Sequence, residues 1–259
     1  MDVGEFDRQL DTDGWVLFPC VVDAQLIDLL KHDVCTKHQE CRHFQVRNGL
    51  AAGTEGTAHH VLGSENSLDE FLRRFYLDAY LARCLEGPYI LNSYGAVLND
   101  PTQPGSYVQS IHRDVRTHTK DFRMLVNVLV MLDEFTAENG ATWVLSSSHH
   151  LPAKPAEAHF VGNADRITGM AGSILLFDSR LWHAAGHNRT DQPRMALTLT
   201  FSRPFMKQQM DYPRFVSRQY EAALSERMRQ LLGFNARVPA TYDEWYQPPE
   251  RRMYKSTQG

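Results

Sequence analysis

The stretch GSILLFDSRLWHAAGHNRTDQPRMALTLTF, residues 172–201, contains two apolar runs separated by a polar connection. The first run, 173–177, is almost continuously apolar, and the second, 194–201, alternates threonine with apolar side chains. Short runs of these two kinds, bounded by glycine, asparagine, aspartate and proline, predict β-strands. The connection has no helical periodicity, so the two runs are predicted to form strands joined by a turn.

Four further strands are predicted upstream of this pair, again with no helix between them. Turn residues separate them, notably Asn99-Asp100-Pro101 and Glu138-Asn139-Gly140. A series of short strands without intervening helices is typical of an antiparallel sandwich or barrel, and the jelly roll is one such double sheet. We therefore predict a mainly β fold with a jelly-roll core at about residues 87–205, built from strands 89–98, 107–113, 124–132, 141–145, 173–177 and 194–201.

Helical segments are predicted on both sides of this core. Asp23 is a plausible N-cap for one helix, and Ser67 for another. Residues 42–66 are rich in small polar residues and lack periodicity, which predicts a binding loop or lid with room for a short strand. The sequence shows no repeat and no second core, so a single domain over 1–259 is predicted, with helices at 5–12, 24–37, 68–85 and 213–232, a strand at 14–18 and an irregular tail at 238–259.

The composition limits which binding partners and which cellular compartment are expected. A net charge of −4 without a basic cluster gives no basis for binding nucleic acid or an anionic membrane. The first twenty residues carry five acidic side chains, and no apolar run approaches the length of a membrane span. The four cysteines include no C-x-x-C pair, which is typical of reduced thiols. We expect a cytoplasmic protein, monomeric or homodimeric, that acts on a small molecule.

The segment IHRD, residues 111–114, carries the first candidate ligands for a metal. In a strand, His112 and Asp114 would share one face because successive side chains alternate. His183 is the best candidate for a third ligand. Together the three residues match the two-histidine, one-carboxylate pattern of non-haem iron(II), which leaves positions open for a co-substrate and for oxygen.

Other histidines compete with His183 for this role. His187 lies four residues on in a predicted turn, where an exposed position or a contact behind the ligands is expected. His149 and His150 follow three serines at a strand end and are weaker candidates.

Arg194 opens the last predicted strand, across a turn from His183. A guanidinium there could hold a carboxylate with two parallel hydrogen bonds. A metal that chelates one end of a keto acid, with an arginine at the other end, predicts a 2-oxoglutarate site. Asn99, Asn127 and Thr198 are polar residues in or beside apolar strands, and a bound dicarboxylate would satisfy them if they face the interior. The alternative for each is an exposed or backbone-bonded side chain.

Two polar segments are candidates for contact with the primary substrate. The first contains Arg47, His59 and His60 in the predicted loop, and the second contains Arg116 and His118 after the candidate ligands. Both would lie near the mouth of a jelly roll. Their polarity favours a polar or anionic small molecule, although charged loops are usually only solvated.

Four segments together resemble the phytanoyl-CoA dioxygenase-like (PhyH) family of Fe(II)/2-oxoglutarate oxygenases: DGWVLFPCVVDAQLIDLL, IHRD, ENGATWVLSSSHH and residues 172–201. The resemblance covers most of residues 10–205. It implies a double-stranded β-helix, a cupin-like jelly roll, with flanking α-helices. It also implies iron(II) at His112, Asp114 and His183, the 2-oxoglutarate C5 carboxylate at Arg194, and oxygen as the oxidant. The implied reaction hydroxylates an unactivated C–H bond and releases succinate and carbon dioxide.

The chain departs from the family pattern at two places. Three serines, 146–148, precede His149 where relatives have Pro-Gly-Ser, and Ala185 stands where relatives often place a hydroxyl that helps to hold 2-oxoglutarate. We expect Thr198 or Asn99 to compensate. Asp114 is present, whereas halogenating relatives lack this carboxylate, so hydroxylation is favoured over halogenation. Desaturation, ring closure and epoxidation stay open because they depend on the position of the substrate.

Two rival hypotheses come from other classes of protein. One is a non-catalytic cupin-like protein that binds a metal or ligand as a sensor. The other is a metalloenzyme that works on the same scaffold without 2-oxoglutarate. Arg194 argues against both, because neither needs a buried arginine that faces the metal.

Overall fold

The computed structural model describes residues 1–102 and 107–258. Its strands, in chain order, are β1 Trp15–Phe18, β2 Thr57–His59, β3 Ile90–Asn99, β4 Leu125–Met131, β5 Thr142–Val144, β6 Asp165–Ile167, β7 Ile174–Asp178, β8 His183–Ala184 and β9 Arg194–Ser202. Its α-helices are α1 Val3–Asp13, α2 Ala24–Arg47, α3 Ser67–Arg73, α4 Asp78–Cys84, α5 Glu157–Asn163, α6 Tyr212–Phe215, α7 Arg218–Ala222, α8 Glu226–Leu231 and α9 Tyr242–Trp245.

The strands form two antiparallel sheets. The larger has six strands in the order β1-β7-β4-β9-β3-β2, and the smaller has three in the order β6-β5-β8. An apolar cluster that includes Leu129 and Leu175 of the larger sheet and Val144 and Ile167 of the smaller one fills the space between them. The predicted mainly β, jelly-roll architecture is confirmed, as an open double sheet with flanking helices.

Strand β9 shows how the sequence creates two different sheet faces. Its odd-numbered residues Leu197, Leu199 and Phe201 belong to the large core that the helices cover. The even-numbered side chains point to the opposite face, toward the smaller sheet, because side chains alternate along a strand. Of these, Ala196 lies in the apolar cluster between the sheets. The polar even-numbered residues of β9 therefore face the interior of the jelly roll.

Helices α2, α3 and α4 cover the outer face of the larger sheet. Helix α2 begins at the predicted cap, where the Asp23 side chain accepts a hydrogen bond from the backbone N–H of Leu26. Its buried residues Ile27, Leu30 and Val34 belong to the large core. No helix in the described residues is both long and apolar enough to cross a membrane.

The segment predicted as strand 107–113 is not a strand. A 3-10 turn at Tyr107–Gln109 precedes an extended stretch with one isolated bridge, between His112 and His183. Beyond that bridge, the N–H groups of both Asp114 and Val115 donate to the carbonyl of Ser179, at 3.0 Å each. Because both N–H groups bond to the same carbonyl, the regular hydrogen-bond pattern between strands ends there. Strand pairing is therefore limited to the one residue pair, His112 and His183. Residues 103–106 lie outside the described residues.

Three predicted helices are also corrected. Helix α2 runs on to Arg47, so Arg47 lies on a helix and not in a loop, because residues 38–47 contain neither glycine nor proline. The predicted helix 68–85 is divided into α3 and α4, since Phe75 and Leu77 take positive φ angles between them. Asn66, not Ser67, caps α3.

The predicted C-terminal helix is divided into α6, α7 and α8, because the side chains of Ser217 and Ser225 cap new helices. The single-domain organisation stays a prediction.

Leu176 tests the packing between the larger sheet and its helices. It is fully buried in β7, so Leu176→Ala should lower the free energy of unfolding by about 2–5 kcal/mol through lost burial and a residual cavity. Leu29→Ala on α2, where the side chain is 53% exposed, should change it by less than about 0.5 kcal/mol. Urea denaturation of both variants measures the difference. Equal losses would contradict this packing.

Candidate metal centre

His112, Asp114 and His183 come together at one end of the jelly roll. The Nε2 atoms of His112 and His183 lie 3.8 and 3.9 Å from the two carboxylate oxygens of Asp114. One nitrogen or oxygen atom from each of the three residues lies within 4.8 Å of the others. The backbones of His112 and His183 exchange two hydrogen bonds, of 3.0 and 2.9 Å. That bridge fixes two side chains that are distant in the sequence next to each other.

Each imidazole is oriented by a backbone carbonyl two residues before it. His112 Nδ1 lies 2.7 Å from the Ser110 carbonyl, and His183 Nδ1 lies 2.9 Å from the Leu181 carbonyl. A carbonyl can only accept, so each Nδ1 carries a proton, and in the neutral ring the lone pair is then on Nε2, which faces Asp114. This is the tautomer in which an imidazole binds a metal through Nε2.

Asn127 orients the carboxylate of the group. Its amide nitrogen donates to Asp114 Oδ2, and its amide oxygen accepts from the hydroxyls of Ser179 at 3.1 Å and Thr200 at 3.0 Å. Those hydroxyls fix which end of the amide faces Asp114. The sequence interpretation gave Asn127 only a role at the co-substrate and missed this one. The signal it could have used is the polar even-numbered face of β9, to which Thr200 belongs.

Burial sets the charge of the site. His183 is 8% exposed, and this burial, aided by the nearby His112, lowers its pKa to about 4. The ring is therefore neutral at pH 7. Two imidazole nitrogens and one carboxylate form a donor set that suits a divalent first-row transition metal, iron(II) included. The residues present fit the predicted metal.

Arg194 is a buried cation with free hydrogen-bonding capacity. It is 2% exposed, and its guanidinium carbon lies 3.9 Å from the ring centroid of Phe135. Its Nε has no hydrogen-bond partner among the described residues. Burial lowers its pKa to about 10, although Asp133 opposes the shift, so Arg194 is charged at neutral pH. A buried, unpaired donor of this kind fits a carboxylate ligand.

Thr198 and His59 lie on the same inner face as Asn127. Gly95 of β3 pairs with His59 on one side and with Thr198 on the other. A Cβ at Gly95 would lie 3.3 Å from Thr198 Oγ1 and 3.5 Å from His59 Nδ1. The same Cβ would lie 2.7 Å from the Ala58 carbonyl oxygen, so the absence of a side chain at Gly95 allows close packing beside these two polar atoms. The His59 residue is exposed, but partial burial of its ring lowers its pKa, so the ring is neutral at pH 7.

Tyr107 is a site residue that the sequence interpretation missed. Its hydroxyl lies 3.3 Å from His59 Nε2, which links β2 to the segment that leads to His112. Tyr107 is 48% exposed, and partial burial raises the pKa of its phenol, with the charge of Asp114 raising it further. The phenol therefore stays protonated and lies close enough to the candidate centre to be affected by its carboxylate. No sequence motif marks Tyr107, because its partner His59 is distant in the chain.

The remaining predicted residues do not form one cluster. Asn99 donates to the carbonyls of Gly186 at 2.9 Å and Gly140 at 3.5 Å, the backbone-bonded alternative for this side chain. The other four predicted substrate residues are scattered: His60 Nδ1 lies 3.2 Å from the hydroxyl of Tyr212, Arg47 stacks on Phe44, Arg116 is exposed, and His118 Nδ1 is buried with no partner among the described residues.

The competing histidines lie apart from the three candidate ligands. His187 is exposed, and the Nε2 atoms of His149 and His150 both lie 3.2 Å from the carbonyl of Asp11 in α1. Among the described residues, His112, Asp114 and His183 form the group of ligand atoms that could hold a metal ion.

The fold and the geometry together define a class: a jelly-roll protein with a candidate His-Asp-His metal centre at one end of its double sheet. Within that class, the chain belongs to the phytanoyl-CoA dioxygenase (PhyH) family, whose model matches residues 10–196. The predicted family resemblance is thereby confirmed.

The relatives agree with this membership. An uncharacterized protein of Mycobacterium tuberculosis is 36% identical over 175 residues, which cover 68% of this chain and 63% of that protein. A dioxygenase of Gibberella moniliformis is 29% identical over 191 residues, covering 66% of this chain and 60% of the relative. The chain thus matches less than two thirds of the length of these relatives.

Solved structures share the fold at low sequence identity. EctD from S. alaskensis, determined with 2-oxoglutarate and 5-hydroxyectoine, superposes with a TM-score of 0.59 at 18% identity, over 78% of this chain and 76% of EctD. AviO1 from Streptomyces viridochromogenes gives a TM-score of 0.58 at 21% identity, over 78% of this chain and 95% of AviO1.

The lowered pKa of His183 predicts a pH dependence of the metal-free protein. The ring titrates near 6.5 when unfolded and near 4 when folded, so the unfolded chain binds more protons between these values. Stability should therefore fall as the pH drops from about 6.5 to about 4. His183→Gln should reduce this slope, whereas His187→Gln, at an exposed position, should leave it unchanged. Urea denaturation at several pH values measures both, and equal slopes in the two variants would contradict the assignment.

Proposed function

We propose that this protein is an Fe(II)/2-oxoglutarate-dependent dioxygenase that hydroxylates an unactivated C–H bond of a small-molecule metabolite. The observation that carries the proposal is the buried Arg194, whose Nε has no partner in the part of the chain that the structure describes, on the inner face of the sheet that also carries Asn127. Family membership and the dioxygenase names of several relatives support the same reaction class.

His112, Asp114 and His183 would hold the iron through their two Nε2 atoms and one carboxylate. Bound iron(II) would supply the oxidising chemistry, with oxygen as oxidant and with succinate and carbon dioxide formed from 2-oxoglutarate. The backbone carbonyls behind the two imidazoles favour the tautomer with the proton on Nδ1, which leaves Nε2 for the metal. Asn127 holds the carboxylate in one orientation by hydrogen bonding.

Arg194 would bind the C5 carboxylate of 2-oxoglutarate. Its burial strengthens such a charge-assisted pair, because no water competes for the guanidinium. Thr198, four residues along the same strand face, would donate a hydroxyl to 2-oxoglutarate where Ala185 supplies none. Asn99 is already bonded to two carbonyls, which makes Thr198 the better candidate to compensate.

The primary substrate would enter beside His59 and Tyr107. Because both side chains are neutral at pH 7, they suit a neutral polar group, such as a hydroxyl or carbonyl, better than the anionic group allowed by the sequence interpretation. We further propose a cytoplasmic location, a single domain and a monomeric or homodimeric state.

Arg194→Ala tests the co-substrate directly. Removal of two hydrogen bonds to a charged group should weaken 2-oxoglutarate binding about 100-fold or more, and Arg194→Lys should recover only part of it because an ammonium cannot form the paired contact. Metal affinity should stay unchanged. Arg189→Ala, at an exposed arginine nearby, is the matched control.

Calorimetry with the anaerobic Fe(II)-loaded protein measures these affinities. Unchanged 2-oxoglutarate affinity in Arg194→Ala would remove the main support for this co-substrate. The rival hypotheses, a metal-binding sensor or an enzyme independent of 2-oxoglutarate, would then be favoured.

A further inference from the structure

A buried ion pair lies at the end of β7, just before the loop that leads to His183. Asp178 is fully buried, and its carboxylate accepts four hydrogen bonds. Oδ1 accepts from the backbone N–H and the Nε of Arg180, both at 2.9 Å. Oδ2 accepts from Arg180 Nη2 at 2.7 Å and from Arg123 Nε at 2.9 Å. One carboxylate thus fixes both the backbone and the side chain of Arg180.

The loop that this ion pair shapes, residues 179–182, contacts two of the three candidate metal ligands, Asp114 and His183. The Ser179 carbonyl accepts from the backbone N–H of Asp114 at 3.0 Å. The Ser179 hydroxyl donates to Asn127, which in turn holds the Asp114 carboxylate. The Leu181 carbonyl orients His183 through Nδ1. Ser179 and Leu181 are the two neighbours of Arg180, so the position of Arg180 determines where both of these loop carbonyls lie.

Arg123 connects the same carboxylate to a second element. It lies two residues before β4, the strand that carries Asn127, and its Nη2 lies 3.3 Å from Asp11 of α1. Asp11 is largely exposed, with 73% of its side chain accessible. Asp178 is therefore the buried counter-charge shared by Arg123 and Arg180, and Asp11 is a peripheral one.

We propose that Asp178, through Arg180 and Arg123, is a positioning residue for the metal centre: it fixes loop 179–182 so that Asp114 and His183 converge. The inference rests on the proposed function. Neither Asp178 nor Arg180 contacts the ligand atoms. Their effect on the metal passes through the Ser179 and Leu181 carbonyls and the Ser179 hydroxyl. Mutation of residues that orient metal ligands without touching the metal typically lowers metal affinity 10–100-fold.

Cobalt(II) binding tests this role, because the visible spectrum of the ion reports its coordination geometry as well as its affinity. Asp178→Asn keeps the shape of the side chain but removes its charge and turns an acceptor into a donor. We expect cobalt(II) affinity to fall about 10–100-fold, with a changed visible spectrum in protein whose circular dichroism is that of the wild type. A residue that only stabilised the fold would leave the spectrum of the folded fraction unchanged.

Two further variants make the test decisive. Arg180→Lys keeps the buried charge but loses the paired contact to Asp178, so it should change the spectrum in the same direction with a smaller loss of affinity. If Asp178→Asn does not fold, this variant decides alone. Asp11→Asn is the matched control: it removes one carboxylate from Arg123 without touching loop 179–182, and it should bind cobalt(II) as the wild type does.

The outcomes separate the two proposals. Wild-type affinity and spectrum in folded Asp178→Asn, or in Arg180→Lys where Asp178→Asn is unfolded, would overturn the positioning role alone. An equal loss in Asp11→Asn would also overturn it, because a general charge effect on Arg123 would then explain the data. Failure of the wild-type protein to bind cobalt(II) at all would overturn the proposed metal centre itself.

Discussion

Two reciprocal backbone hydrogen bonds between His112 and His183 are the constraint on which the candidate site depends. They join the segment that follows β3 to the edge strand of the smaller sheet, and they place both imidazoles over Asp114. A backbone bridge is suited to this role because it is independent of side-chain rotamers. The side chains then need only their carbonyl partners to select the correct tautomer.

Burial gives this arrangement its chemical character. It keeps His183 neutral, and it leaves Arg194 as a charged group whose Nε has no hydrogen-bond partner within residues 1–102 and 107–258. A folded chain tolerates an unpaired buried donor when a ligand completes it, since such a group is otherwise costly. The same inner face that carries Arg194 carries Thr198 and Thr200. Thr200 connects this polar stripe to the candidate metal centre, because its hydroxyl donates to Asn127, whose amide nitrogen donates to Asp114.

Much of the fold followed from local patterns, because alternation along β9 and the apolar run of β7 have few alternative interpretations. The pairing of His112 with Asp114 on one side could also be expected from spacing, although their segment is bridged at one residue and is not a strand. The orientation of Asn127 toward Asp114 could not be expected from the sequence, because it depends on the hydroxyls of Thr200 in β9 and of Ser179 in the loop after β7. Tyr107 was missed for the same reason: only tertiary structure brings it to His59. The extent of helix α2 was underestimated because none of its fully buried apolar residues lies beyond Val34, so its last turns carry no apolar stripe.

The most direct test of the account is an anaerobic titration of the wild-type protein with Fe(II) and 2-oxoglutarate, monitored in the visible region. Chelation of the keto acid by iron in this site should produce a weak metal-to-ligand charge-transfer band that saturates at one equivalent of metal. The same titration of His183→Ala should give no band. Iron binding by the wild-type protein without any such band would contradict the central claim, that His112, Asp114, His183 and Arg194 form one site for iron and 2-oxoglutarate.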